Sequence, residues 1–182
     1  MLRSIIKPSF LLPTVYFFVS ATNVHCQIAG KAQSVDLAPH LAFDQERRIK
    51  DVGITSRDTA ATDGTGATYL NLFDRLDALA AHAEELSAFF LYLTYKTFFL
   101  NYGSLVMFTG ILGRLRAILH CDQYLQTQLS RQDVDIMCAA LKNAHIRSVY
   151  VWSGQPLTDH EITSGQFPGH HWRGKVPPWS IQ

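Results

Sequence analysis

The sequence predicts a mainly α-helical fold: a small bundle of three or four helices with at most a minor β element. Three observations carry this. Leu72, Leu76, Leu79, Ala83, Leu86, Phe90 and Leu93 recur in steps of four and three, which keeps one apolar stripe on one side of a helix. Ser130 and Asp133 stand three apart as a capping box, ahead of the apolar set Val134, Met137, Cys138 and Leu141. Ile146 to Trp152 reads as a strand, with Tyr150, Val151 and Trp152 favouring β and Ser153-Gly154-Gln155-Pro156 closing it. The alternatives are that it pairs with residues near Ile162 or is simply extended.

The elements follow in order. Residues 1–26 have the layout of a secretory signal: Arg3 and Lys7, an apolar run from Phe10 to Val19, then small residues that permit cleavage after Ala21 or after Cys26. An N-terminal membrane anchor and a mitochondrial presequence are the alternatives. Residues 27–66 read as a linker or pro-segment. Their apolar periodicity is low, and Thr62-Asp63-Gly64-Thr65-Gly66 is turn chemistry rather than a phosphate loop, because no Lys-Ser/Thr follows. Residues 67–165 are the expected helical domain, and residues 166–182, rich in Gly, Pro, His and Trp, an irregular tail.

Within the linker, Gln45, Glu46, Arg47 and Arg48 form a charged motif with the chain's only adjacent basic pair, a candidate processing or recognition site. A signal, a short charged linker and a helical domain together resemble the layout of oomycete secreted effectors. Those carry an Arg-x-Leu-Arg motif, absent here, followed by a Glu-Glu-Arg motif, which Gln45-Glu46-Arg47 partly matches. The resemblance implies secretion into a host and non-enzymatic interference there.

In the domain, Asn71 is the expected cap of a first helix running to about Asn101, with Asp74 and Asp77 near its positive end. Asn101-Tyr102-Gly103-Ser104 breaks it. A second helix is expected over Leu105–His120, a third from Ser130, and a short one after the capping box Thr158–Glu161. Phe89, Tyr92, Tyr95, Phe99 and Tyr102 belong to a dense aromatic cluster that reads as core or as a candidate interaction face. Ala88 to Gly113 is long enough to cross a bilayer, which needs about 20 mostly apolar residues, but it contains Lys96 and Asn101.

The chemistry is sparse. Cys121 and Cys138 are a candidate disulfide if the chain is secreted, with buried thiols the alternative. His120 adjoins Cys121, but neighbours on a helix do not face one another. Asp159, His160, Glu161, His170 and His171 supply metal-ligand chemistry without a ligand spacing such as His-Glu-x-x-His, so no metal is expected. No nucleophile, base and orienter are spaced as a catalytic set, so neither catalysis nor a cofactor is expected. A net charge of +1 with dispersed basic residues argues against a nucleic-acid partner. The expectation is a small secreted, non-enzymatic interaction protein, an effector with a protein partner in a host. The alternative is a membrane-embedded accessory protein spanning residues 88–113.

Overall fold

Thr14-Val-Tyr-Phe-Phe-Val19 is a run of β-branched and aromatic residues bounded by Pro13 and by the turn Ser20–Asn23. In the computed structural model it is strand β1, Thr14–Val19, the central strand of a sheet. The structure describes residues 13–43, 49–52, 68–71, 76–103, 114–152, 155–158 and 160–161. Strands β2 (Val24–Ile28) and β3 (Ser34–Leu37) follow as an antiparallel meander. Strands β4 (His40–Phe43), β5 (Ile49–Val52) and β6 (Thr68–Asn71) form a separate three-stranded antiparallel sheet ordered β5-β4-β6.

A 3₁₀ helix, Leu76–His82, leads into α1, Ala83–Tyr102. Strand β7 (Leu115–Cys121) then runs parallel to β1, short helix α2 (Gln123–Gln128) and helix α3 (Arg131–Asn143) follow, and β8 (Ile146–Trp152) runs parallel to β7. The main sheet is therefore mixed and five-stranded, ordered β3-β2-β1-β7-β8.

The two faces of that sheet differ. Val15, Phe17, Val19, Val24, Cys26, Ile28, Leu115, Ala117, Leu119 and Cys121 share one core with Leu86, Phe89, Phe90 and Leu93 of α1 and with Val134, Met137 and Leu141 of α3. Both helices cover this face, α1 packing against β2 and β3 and α3 against β8. The opposite face carries Tyr16, Ile118 and Trp152 with Leu157 seated among them. Alternation along each strand sends neighbouring residues to opposite faces, which is how one hairpin feeds both.

The fold is thus α/β, not a mainly α bundle, and the corrections have physical reasons. The apolar run expected to be a signal is the sheet's central strand. A short apolar run bounded by turn residues is compatible with either, and periodicity cannot separate them. Three strands lie in the expected linker. Leu115–His120, expected to end a second helix, belong to strand β7: Leu115, Ala117, Leu119 and Cys121 alternate toward the helices while β1 and β8 flank it on both sides, and residues 105–113 lie outside the described residues. Asn71 is the last residue of β6, the residues after it, 72–75, lie outside the described residues, and the residue before α1 is His82.

Other expectations match. Helix α1 stops at Tyr102, where Gly103 adopts φ +64° and donates its N–H to the Phe99 carbonyl. Ser130 caps α3 through a reciprocal box with Asp133. The strand at Ile146–Trp152 is present, its partner being β7. Among the described residues no helix is long and apolar enough to cross a membrane.

Candidate functional site

The three parallel strands end together. Val19 of β1 stands opposite Cys121 of β7, and His120 of β7 stands opposite Trp152 of β8. Beside these carboxyl ends lies the β1–β2 turn, Ser20-Ala21-Thr22-Asn23, which carries no glycine. The turn is closed by its own groups: the Ser20 N–H donates to the Asn23 carbonyl at 2.8 Å, the Asn23 N–H to Ser20 Oγ at 3.0 Å, and the Ser20 hydroxyl to the Asn23 carbonyl at 2.9 Å. The Asp122 N–H donates to the Val19 carbonyl at 2.8 Å, locking β7's exit to β1's end.

Two carboxylates are described along this edge, and both are engaged. Asp122 caps α2, accepting from the Leu125 N–H at 2.7 Å. Asp36 of β3 accepts from Asn23 Nδ2 at 2.9 Å and from His25 Nδ1 at 3.0 Å. A carboxylate only accepts, so the His25 proton facing Asp36 is on Nδ1, which leaves Nε2 outward. The three side chains tie the turn to the sheet's third strand.

On the face away from the helices, Tyr16 and His120 make a buried pair, the hydroxyl 2.7 Å from Nδ1. The Leu157 N–H donates to the same hydroxyl at 3.4 Å, and Trp152 Nε1 donates to the Gln155 carbonyl at 2.8 Å. These contacts strap residues 155–158 back across the strands. Thr158 then begins a helical turn with Glu161, whose carboxylate accepts from the Thr158 N–H at 2.7 Å and holds its pKa below the usual range through those bonds.

Burial pushes the Tyr16 hydroxyl up to about 12. An acid that stays protonated in the fold and ionises at about 10 when unfolded stabilises the fold below pH 10. That contribution is lost as pH rises from about 10 to 12. A spectrophotometric titration should show a late-ionising tyrosine that is absent in Tyr16→Phe.

The sequence-predicted residues are scattered. Cys121 is buried on β7 and Cys138 half-buried on α3, both as thiols, as is buried Cys26. Burial pushes Cys26 and Cys121 up to about 12 and Cys138 up to about 11. Thiols so far above neutrality present little thiolate. Iodoacetamide at pH 8 should therefore label the native chain slowly, while the unfolded, unreduced chain takes three labels; a single label, on Cys26, would mean a Cys121–Cys138 bond.

Phe89 is core, whereas Tyr92, Tyr95 and Tyr102 are half-buried and Phe99 is exposed. Gln45, Glu46, Arg47, Arg48, Gly64, Gly66, Asp159, His170 and His171 lie outside the described residues, and no metal-holding cluster occurs among the described ones. The sequence reading missed Tyr16, His25, Asp36 and His120 as a set. The alternation of His25 and Gln27 against Val24, Cys26 and Ile28 was the available signal for a strand there.

No protein-family model and no curated protein matches the chain. Solved structures do. MreB5 of Spiroplasma citri bound to AMPPNP is similar at a TM-score of 0.53 and 12% identity, covering 78% of this chain and 38% of that one. The same protein bound to ADP is similar at 0.51 and 10% identity, with 78% and 38% covered. The likeness is one of fold, and this chain spans little more than a third of those neighbours' length.

It overturns the secreted-effector reading, which rested on a helical domain behind a removable signal. The strands that reading discarded, β1 and β2, belong to this chain's main sheet. Of the segment 88–113 expected to span a membrane in the alternative reading, the described part is helix α1, whose Phe89, Phe90 and Leu93 are buried against the sheet; residues 104–113 lie outside the described residues.

Proposed function

We propose that this chain is a nucleotide-binding lobe that takes an adenine nucleotide at the carboxyl edge of β1, β7 and β8 and does not hydrolyse it unaided. The observation that carries the reading is the alignment of those three strand ends beside the Ser20–Asn23 turn. Open α/β sheets take ligands outside the carboxyl ends of their strands. Similarity to a protein bound to AMPPNP and to ADP supports the ligand class.

The second half of the proposal follows from how the edge is wired. Hydrolysis needs a group that orients the attacking water or holds the metal. Asp122 is spent on capping α2, Asp36 on Asn23 and His25, and Ser20 on its own turn. Thr22, exposed at the tip of the turn, is the residue to alter.

Titration of the full chain with fluorescent ADP and AMPPNP should saturate, and Thr22→Glu should weaken both at least tenfold by setting a negative charge against the phosphates, with an unchanged melting temperature. ATP turnover should stay at the buffer rate. Failure to bind either nucleotide sinks the binding half, and turnover by the pure chain sinks the other.

A further inference from the structure

His25 and Asp36 stand directly opposite each other on β2 and β3, and Phe18 of β1 stands opposite His25 on its other side. Residues that face each other across paired strands project to the same side of a sheet. The His25 ring is therefore on the face that carries Tyr16 and Phe18, beside the end of β1 and the Ser20–Asn23 turn. Its backbone is fixed between two strands.

The ring is fixed as well. Asn23 Nδ2 donates to Asp36 Oδ1 at 2.9 Å, and His25 Nδ1 donates to the same oxygen at 3.0 Å. The carboxylate is thus held from the turn and in its turn holds the imidazole. With the proton of neutral His25 on Nδ1, the lone pair is on Nε2. Among the described residues nothing else bonds the ring, and 27% of the side chain is exposed, so Nε2 is left for a reagent from outside. Other histidines lack this arrangement: His40 and His120 are buried, and His82 Nδ1 has no hydrogen bond, with Glu85 3.7 Å away.

A nucleophile whose tautomer and direction are set by a carboxylate, itself set by a third group, is the geometry of covalent catalysis. The carboxylate also balances the positive charge that the ring gains when Nε2 forms a bond. Asp122 and Asp36 are both engaged, so neither is free to take a proton from water. Among the described groups at this edge, Nε2 is the one that presents a lone pair with its orientation already set.

We propose that His25 Nε2 accepts the γ-phosphoryl group of an ATP bound at this edge. The proposal rests on the nucleotide reading and deepens it. The Nε2 lone pair attacks the γ-phosphorus. The nitrogen–phosphorus bond forms as the bond to the β,γ-bridging oxygen breaks, and ADP leaves with that electron pair. The Nδ1 proton stays on the ring against Asp36, which acts as a positioning residue. One phosphoryl group moves per chain and no water is consumed, so the step is distinct from turnover.

The test incubates the full chain with magnesium and ATP radiolabelled in its γ-phosphoryl group, and in parallel with radiolabelled phosphoramidate, which phosphorylates imidazoles without needing a nucleotide site. The expected label is acid-labile and alkali-stable, rises to no more than one per chain and maps to the peptide containing His25. His25→Gln should abolish it and His160→Gln, at an exposed histidine, should not, both at an unchanged melting temperature. Asp36→Asn keeps an acceptor for Nδ1–H but loses the charge, and should slow labelling from both donors at least tenfold. No label from ATP overturns the proposal. Titration with fluorescent ADP then separates the two readings: saturation leaves the nucleotide reading standing, and its absence, with His25 labelled by phosphoramidate alone, removes the nucleotide as donor. Label on another residue, or a rate indifferent to Asp36→Asn, overturns the proposal too.

Discussion

A chain that starts at Gln27 will not fold. It lacks β1, the strand that joins the antiparallel half of the sheet, β2 and β3, to the parallel half, β7 and β8. It also lacks Val24 and Cys26 of β2. Val15, Phe17, Val19 and Val24 are fully buried, and burying such side chains contributes roughly 1.5–3 kcal/mol each. Their combined loss is comparable with the whole stability of a domain, about 5–15 kcal/mol. Removing β1 also strands the backbone donors and acceptors of β2 and β7 that now pair with it.

Circular dichroism of residues 27–182 during heating should show no cooperative transition, where the full chain gives one. Cleavage after Ala21 should have the same effect, since β1 and the first half of its turn go with it. A truncated chain that melts cooperatively near the full chain's temperature would remove β1 from the core.

The way the sequence misled at that strand separates what a local pattern can tell from what it cannot. Signals that act over a few residues read correctly: the Ser130–Asp133 box, the stop at Gly103, the Thr158–Glu161 box, and the strand at Ile146–Trp152. The two boxes and the stop depend on backbone groups within about one turn of the side chain, and the strand declares itself by its own β-branched and aromatic residues. What failed depends on partners far along the chain. β1 lies about a hundred residues from β7, and β7 reads as helix or strand until both neighbours are known. A buried parallel strand loses the polar–apolar alternation that would identify it.

The candidate site shared that fate. Its residues come from β1, β2, β3 and β7 and meet only once the sheet exists. Tyr16 and His120, 104 residues apart, have no sequence pattern that joins them. Helix α1 shows the converse limit. The four–three stripe placed Leu79, Leu86, Phe90 and Leu93 correctly inside. Because the helix is apolar nearly all round, however, it could not assign Phe89 to the core or Leu100 to the surface.

Phe90→Ala should cost about 3–5 kcal/mol, the usual range for emptying a buried phenylalanine site, while Phe99→Ala on the same helix should cost less than about 0.5 kcal/mol. Phe90 is fully buried, with its ring edge-on to Phe17 of β1 at 5.3 Å and to Phe89 at 6.0 Å between centroids. Such ring pairs contribute roughly 0.5–1.5 kcal/mol beyond the area they bury, so truncation loses the pair with β1 as well as the volume. The site cannot close easily, because the β1 backbone on one side is held by two neighbouring strands and α1 on the other is fixed at its end by Asn101.

Phe99 sits nine residues on, two and a half turns round the helix. It meets the half-buried Tyr95 ring and solvent, so its removal leaves no cavity. Urea unfolding of both variants would read the difference directly as a shift in midpoint at constant slope. Equal, small shifts would mean that α1 does not bury this side against β1. A large shift for Phe99→Ala alone would mean that the helix is rotated and that Phe99 is core.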